Sequence, residues 1–239
     1  MSSILTAIVS GANRGIGREI SLSLAAEGYK TLLFGRNESE LEDVSNEISI
    51  KYPLSPKPEI YICDLNDTDK LTSLLDEIVE NNTSIDVLVN NAGIYKSGSH
   101  ENTLADFENI LSINLSAPFI FLKKIIPQMK SQQSGYIFNV ASRAGKIGFE
   151  QSGLYSSSKF ALVGLSESIY RELSKFNIKV TALCPSFVNT EMAINASAPM
   201  EPKEMIQVED LSNTIKYLLK LSKNAYVREL WIDSRLAII

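Results

Sequence analysis

Seven short apolar runs, near residues 4–9, 30–35, 59–63, 86–90, 135–141, 178–184 and 228–232, alternate along this chain with stretches of helical period. Strands separated by helices pair in parallel, and a parallel strand covered on both faces reads as a nearly continuous apolar run, as in YKTLLFG. Right-handed crossovers leave few ways to arrange such units. The natural one is an α/β fold: a doubly wound parallel sheet of about seven strands with helices on both faces. At 239 residues and 44% hydrophobic content the chain suffices for one well-cored domain and is short for two, so residues 1–239 are expected to form a single domain.

In such a sheet ligands bind beyond the carboxyl ends of the strands. The first turn there is SGANRGIGREISLSLAAEG, with Gly11, Gly15 and Gly17 spaced G-x-x-x-G-x-G between a strand and an amphipathic helix. Glycine lets the backbone turn tightly and approach a pyrophosphate, whose charge the helix N-terminus favours. In that position the triplet predicts the dinucleotide site of a Rossmann fold. The second strand ends at Gly35-Arg36, where an NAD-selective site carries an acid for the ribose 2′-hydroxyl. The acid is missing there, Arg36 takes the next position and Arg14 stands in the glycine turn. Two guanidiniums suit a 2′-phosphate, so NADP(H) is the expected cofactor.

Tyr155 and Lys159 lie four residues apart in SGLYSSSKFALVGLSES. On a helix they share one face, and an ammonium beside a phenol favours the phenolate. At about 4 Å and an effective dielectric of about 20 the attraction is about 4 kcal/mol, roughly three pKa units before screening. The expectation is a tyrosine with a pKa drawn down toward neutrality, where a general acid/base works best. The spacing alone is also what chance would supply, and the other motifs decide its weight.

With those motifs the chain resembles the short-chain dehydrogenase/reductase family, from about residue 4 to residue 191. The glycine turn matches Gly11, Gly15 and Gly17, and an Asn-Asn-Ala-Gly strand end matches Asn90, Asn91, Ala92 and Gly93. A helix asparagine matches Asn114 in SINLSAPF, a serine matches Ser142 in IFNVASRAG, and Tyr-x-x-x-Lys matches Tyr155 and Lys159. The resemblance implies Tyr155 as catalytic acid/base, Ser142 as the group that positions a substrate carbonyl, and Lys159 as the residue that holds the nicotinamide ribose and lowers the tyrosine pKa. It implies that Asn114 supports a water relaying protons to the lysine. It also implies cofactor contacts from Asn13, Arg14 and Ile16 in the glycine turn, from Asp64 and Leu65 around the adenine, and from Asn91, Ala92 and Gly93. The family's Pro-Gly-x-Val-x-Thr segment corresponds to Pro185, Ser186, Val188 and Thr190. Ser10 and Ser186 depart from the family, standing for a threonine and a glycine.

By the same resemblance the activity is an oxidoreductase one: hydride transfer between NADPH and the carbonyl of a small ketone, diketone or 3-oxoacyl compound. The C-terminal stretch VEDLSNTIKYLLKLSKNAYVRELWID is closer to sepiapterin reductase-like and 3-hydroxy-acid dehydrogenase-like branches than to the glycine-rich ending of 3-oxoacyl-(acyl-carrier-protein) reductases. A non-catalytic NADP(H)-binding sensor is the reading from a different class, since the fold alone does not imply turnover. An epimerase would need a larger substrate domain than follows Lys159.

The net charge of −5 argues against a nucleic-acid partner, which calls for a basic stripe. Apolar stretches such as APFIFL are interrupted well short of a membrane span, and a cytoplasmic location is expected. Cys63 and Cys184 read as small buried thiols, and His100 as a solvated loop residue. No metal site is expected. Apolar residues on more than one side of 103–132 and 153–176 suggest a homodimer or homotetramer. Residues 186–206 are expected to form a substrate loop, with Met192, Met200 and Met205 available to line an adaptable pocket.

Overall fold

The computed structural model describes residues 4–237. Its strands are β1 Thr6–Ser10, β2 Lys30–Gly35, β3 Glu59–Ile62, β4 Val87–Asn90, β5 Gly135–Val140, β6 Ile178–Pro185 and β7 Glu229–Ile232. They form one sheet in the order β3-β2-β1-β4-β5-β6-β7, with every neighbouring pair parallel. Each strand falls on the apolar run that predicts it. The chain winds outward from β1 to β3, then restarts at β4 on the other side of β1. The loops leaving β1 and β4 therefore diverge, and a crevice opens at their carboxyl ends.

Successive residues of a strand face opposite sides of the sheet, and both sides are covered. Ala7 and Val9 of β1 pack with Ile20, Leu24, Leu41 and Ile215, from α1 Gly15–Ala26, α2 Glu38–Lys51 and a late helix, Val208–Lys220. Ile8 packs on the other side with Leu75, Phe121, Ile125 and Ile169, from α3 Thr68–Asn81 and from helices at Ala117–Gln132 and Gly153–Leu173. Local signals set where these helices begin. Asn37 accepts from the Glu40 amide at 3.3 Å to cap α2, and Asp67 accepts from the Lys70 amide at 2.9 Å to cap α3. Thr103 and Asp106 form a reciprocal capping box at the start of α4 Leu104–Leu111.

The helical stretch expected at 103–132 is not uniform. A π-helical turn at Ser112–Ser116 separates α4 from α5 Ala117–Gln132. Such a turn carries an extra residue and re-aims the side chains on it, here those around Asn114. The expectation that no stretch reaches the length and hydropathy of a membrane span is also corrected. Leu104–Gln132 is 29 residues long with a mean hydropathy of 1.4 over an 18-residue window. Its apolar side is used within the fold, where Phe121, Leu122, Ile125 and Met129 are core residues against α3 and the sheet. The remaining helices are α6 Gly153–Leu173, α7 Glu191–Asn195 and α8 Val208–Lys220. Leu104, Phe119 and Phe160 stay exposed on α4, α5 and α6. Cys63 and Cys184 are buried free thiols, and His100 is almost fully exposed.

Candidate active site

The crevice begins at the glycine turn. The chain leaves β1 through Gly11 and Gly15, with φ of 65° and 55°, in the left-handed region that glycine enters without strain. A Cβ on Gly17 would lie 2.1 Å from the Gly11 carbonyl oxygen, so only glycine lets α1 sit this close to the turn. The hydroxyl of Ser10 accepts from the amides of Asn91 at 3.0 Å and Ala92 at 3.1 Å. Asn91 returns its side-chain amide to the carbonyls of Ser10 and Gly11 at 3.0 and 3.2 Å. The two diverging loops are thereby tied at the switch point, and serine in place of threonine keeps the hydroxyl that does it. Helix α1 opens with no side-chain cap and no acid in its first turn. Its first amides stand at the cleft as donors, and that arrangement fits a pyrophosphate.

The cleft has a volume of about 1410 Å³, more than the roughly 1,000 Å³ upper range of a pocket for one small ligand. It has room for a dinucleotide and a substrate together. Of the residues singled out in the sequence, Gly11, Asn13, Arg14, Gly15 and Ile16 line it at the glycine turn, and Arg36, Asp64 and Leu65 near the ends of β2 and β3. Asn91, Ala92 and Gly93 line it after β4, Ser142, Tyr155 and Lys159 beyond β5, and Pro185, Ser186, Val188 and Thr190 after β6. Gly17 and Asn114 do not line it. Gly17 sits beneath the turn, and Asn114 is fully buried behind Gly93.

Ser142 accepts from the Ala144 amide at 3.0 Å and starts a short 3₁₀ turn that fixes its hydroxyl at the end of β5. Tyr155 and Lys159 are on α6, one turn apart. The Lys159 ammonium is 5.7 Å from the Tyr155 ring centroid and donates to the Val140 carbonyl at 2.9 Å. Tyr95 meets the Tyr155 ring edge-on, with centroids 5.3 Å apart. Asn114 donates to the Ile94 carbonyl and the Ser158 hydroxyl, each at 3.0 Å, and accepts from the Ile94 amide at 2.8 Å. Its side chain is committed to clamping the loop after β4 onto α6. A Cβ on Gly93 would come within 3.3 Å of Asn114 Oδ1 and 3.5 Å of Lys159 Nζ, so this glycine leaves the space between them open.

The electrostatics reverse one expectation. Burial pushes the Tyr155 phenol up to about 12, opposed by the Ser142 hydroxyl, which favours the ionised form. The downward shift expected from Lys159 is absent: its ammonium lies over the ring and donates to the Val140 carbonyl, while the phenol loses solvent. Lys159 itself is 3% exposed, and the same desolvation draws it down to about 8. The phenol therefore keeps its proton at neutral pH, while the lysine is charged below about 8 and neutral above.

Two further positions depart from expectation. Arg14 forms an ion pair with Glu191, the first residue of α7, and both side chains are more than half exposed. Such pairs contribute about 0–1 kcal/mol, so Arg14 is only lightly held there. Ser186 has a structural role that glycine lacks: its hydroxyl accepts from the Ser234 amide at 2.8 Å, adding to the backbone bond from its amide to the Ile232 carbonyl at 2.8 Å. The segment after β6 is thus fastened to the chain following β7. Of the three methionines, Met192 lines the cleft, Met205 is buried, and the Met200 sulfur accepts from the Ser234 hydroxyl at 3.4 Å. Tyr95, Phe149, Phe187 and Ile194, which fall in the stretches 93–98, 143–151 and 186–206 expected from the sequence to shape the pocket, make this end of the cleft apolar, and Glu40 at the far end is the lining residue that the sequence reading missed.

The family model described as short chain dehydrogenase matches residues 5–201, from β1 past Lys159 and α7. The chain belongs to the short-chain dehydrogenase family. It is an oxidoreductase of a family that uses a nicotinamide cofactor. It is 32% identical over 227 residues to the 3-oxoacyl-(acyl-carrier-protein) reductase FabG of Staphylococcus aureus, covering 89% of each chain. A beta-ketoacyl-(ACP) reductase FabG structure from Bacteroides thetaiotaomicron matches with 39% identity and a TM-score of 0.87 over 99% of both chains. A metagenomic short-chain oxidoreductase in complex with NADP matches with 28% identity and a TM-score of 0.82 over 96% of both chains. Short-chain dehydrogenase membership and the parallel sheet order thus agree.

Proposed function

We propose that this short-chain dehydrogenase transfers a hydride between NADPH and the carbonyl of a small ketone, diketone or 3-oxoacyl substrate, with Tyr155 as general acid. The observation that carries the reading is the meeting of Ser142, Tyr155 and Lys159 in one cleft that continues to the glycine turn. A bound nicotinamide supplies the hydride. Ser142 hydrogen-bonds the carbonyl oxygen and orients it, and Tyr155 gives that oxygen its proton as negative charge develops there. Lys159 holds the ribose and keeps positive charge under the ring. Asn114 acts from behind, holding the loop of Ile94 and Tyr95 in register with α6. The apolar wall of Tyr95, Phe149, Phe187 and Met192 accepts the flank of the substrate and excludes water. Residues 186–206 form the substrate loop, fastened through Ser186.

Both similarities to FabG proteins favour a 3-oxoacyl substrate, and the sequence of the C-terminal stretch favours a smaller carbonyl compound. The test is oxidation of NADPH and NADH by the pure protein across diketones, a pterin ketone and 3-oxoacyl thioesters. Turnover with NADPH supports the reductase and ranks the substrates. Dinucleotide binding with no turnover on any carbonyl favours the sensor reading instead. The exposed Leu104, Phe119 and Phe160 support a homodimer or homotetramer, and the cytoplasm is the proposed location.

Two predictions arise here. Arg36 lines the cleft and is exposed, as a phosphate-reading guanidinium must be. Arg36→Asp is expected to weaken NADPH binding by up to about 2–3 kcal/mol, the value of a charged hydrogen bond, and NADH far less. Equal losses in titrations with the two dinucleotides would assign Arg36 to the fold. The second prediction concerns pH. Because Lys159 is charged only below about 8, reductive kcat/KM is expected to hold through neutrality and fall with an apparent pKa near that value. A profile flat well above it would remove the lysine charge from the reaction.

A further inference from the structure

The end of β2 lacks the acid that an NAD-selective site carries, yet the structure brings one in from elsewhere. Glu40 lies in the first turn of α2, and its Oε2 accepts from the side-chain amide of Asn13 at 2.5 Å. Asn13 stands inside the glycine turn, between Gly11 and Gly15. Asn13, Gly35, Arg36 and Glu40 line the same stretch of the cleft. The grip is close, since a Cβ on Gly35 would lie 3.2 Å from Asn13 Oδ1. The carboxylate is therefore held at the place where the glycine turn meets the end of β2, which is where a dinucleotide-binding fold distinguishes a ribose hydroxyl from a phosphate.

The positive charge at this end is also smaller than two arginines suggest. Arg14 is lightly paired with Glu191, and Arg36 and Glu40 both line the cleft near the start of α2. A carboxylate accepts from a ribose hydroxyl and repels a phosphate dianion. We infer that Glu40, positioned by Asn13, is the residue that limits selectivity for NADPH over NADH. The site is consequently tolerant of both dinucleotides, with Arg36 favouring the phosphate and Glu40 opposing it. The inference rests on the dinucleotide reading of the cleft proposed above.

The test is equilibrium binding of NADPH and NADH to the intact protein, by calorimetric titration at low and high salt, for the wild type, Glu40→Gln and Glu38→Gln. Glutamine keeps an acceptor for the Asn13 amide and removes the charge, so the turn stays in place. Glu38 lines the cleft from the same helical turn and serves as the control for general charge. Glu40→Gln is expected to tighten NADPH roughly tenfold and leave NADH unchanged or weaker, with the gain shrinking at high salt. Equal changes for the two dinucleotides, no change, or the same gain from Glu38→Gln would overturn the role of Glu40. Failure of the wild type to bind either dinucleotide would instead remove the proposed function, which separates the two outcomes.

Discussion

Tyr155→Phe is expected to lower turnover by about 10²- to 10⁴-fold, the usual contribution of a positioned general acid, and to leave dinucleotide affinity and thermal stability unchanged. Phenylalanine keeps the ring that packs edge-on against Tyr95 and lies over the Lys159 ammonium. Only the hydroxyl is lost, and with it the proton that the substrate oxygen needs. The direction of reaction sharpens the test. Since burial holds the phenol near 12, it is a ready donor at neutral pH and a reluctant base, so reduction is expected to proceed at neutral pH and alcohol oxidation to accelerate as pH rises. Steady-state rates of both proteins in both directions, beside titrations of dinucleotide binding, check this. Full turnover in Tyr155→Phe would sink the mechanism while leaving the fold untouched.

The second large effect is structural. Gly17→Ala places a Cβ 2.1 Å from the Gly11 carbonyl oxygen and 2.5 Å from the side-chain nitrogen of Asn91. The first obstacle is backbone, and the second is an amide already bonded to the carbonyls of Ser10 and Gly11. To make room, α1 must move off the turn, and Ile20 and Leu24 must leave their places against the sheet. Overpacking of this kind costs about 1–3 kcal/mol or more, which for a chain of this size lowers Tm by roughly 2–4 °C per kcal/mol. Dinucleotide affinity is expected to fall with it, because the turn and the α1 amides shift together. Gly164, exposed on α6 with open space around its Cα, is the control: Gly164→Ala is expected to be neutral or to stabilise by about 0.5–1 kcal/mol. A Gly17→Ala protein that melts with the wild type would show that the turn yields more easily than its geometry implies.

These two sites also separate what was readable in the chain from what was not. Strand placement was readable because a buried parallel strand needs an unbroken apolar run, and a run of that kind is written in consecutive residues. The crevice was readable for the same reason: strand order reverses at β1 and β4, so the residues after the ends of β1 to β6 converge there, and Asn91, Ser142 and Pro185 are all found at the cleft. The glycine turn belongs with them, since its spacing is local.

The state of the side chains was decided elsewhere. Tyr155 was expected to be drawn down by Lys159, four residues away, and is instead pushed up by burial. Spacing along a helix counts neighbours of one element, whereas desolvation sums the atoms of every element packed around the phenol. Arg14 and Glu191 are 177 positions apart and Asn13 and Glu40 are 27 apart, yet each pair meets across the crevice. The serine at 186 looked like a loss of backbone freedom and proves to be a fastening to Ser234, 48 positions away. Apolar pattern and glycine spacing act between near neighbours in sequence, and they determined the sheet, the turn and the location of the cleft. Charge and desolvation act through space, so only the folded chain could set which groups are paired, which are protonated, and which carboxylate stands beside the arginine at the end of β2.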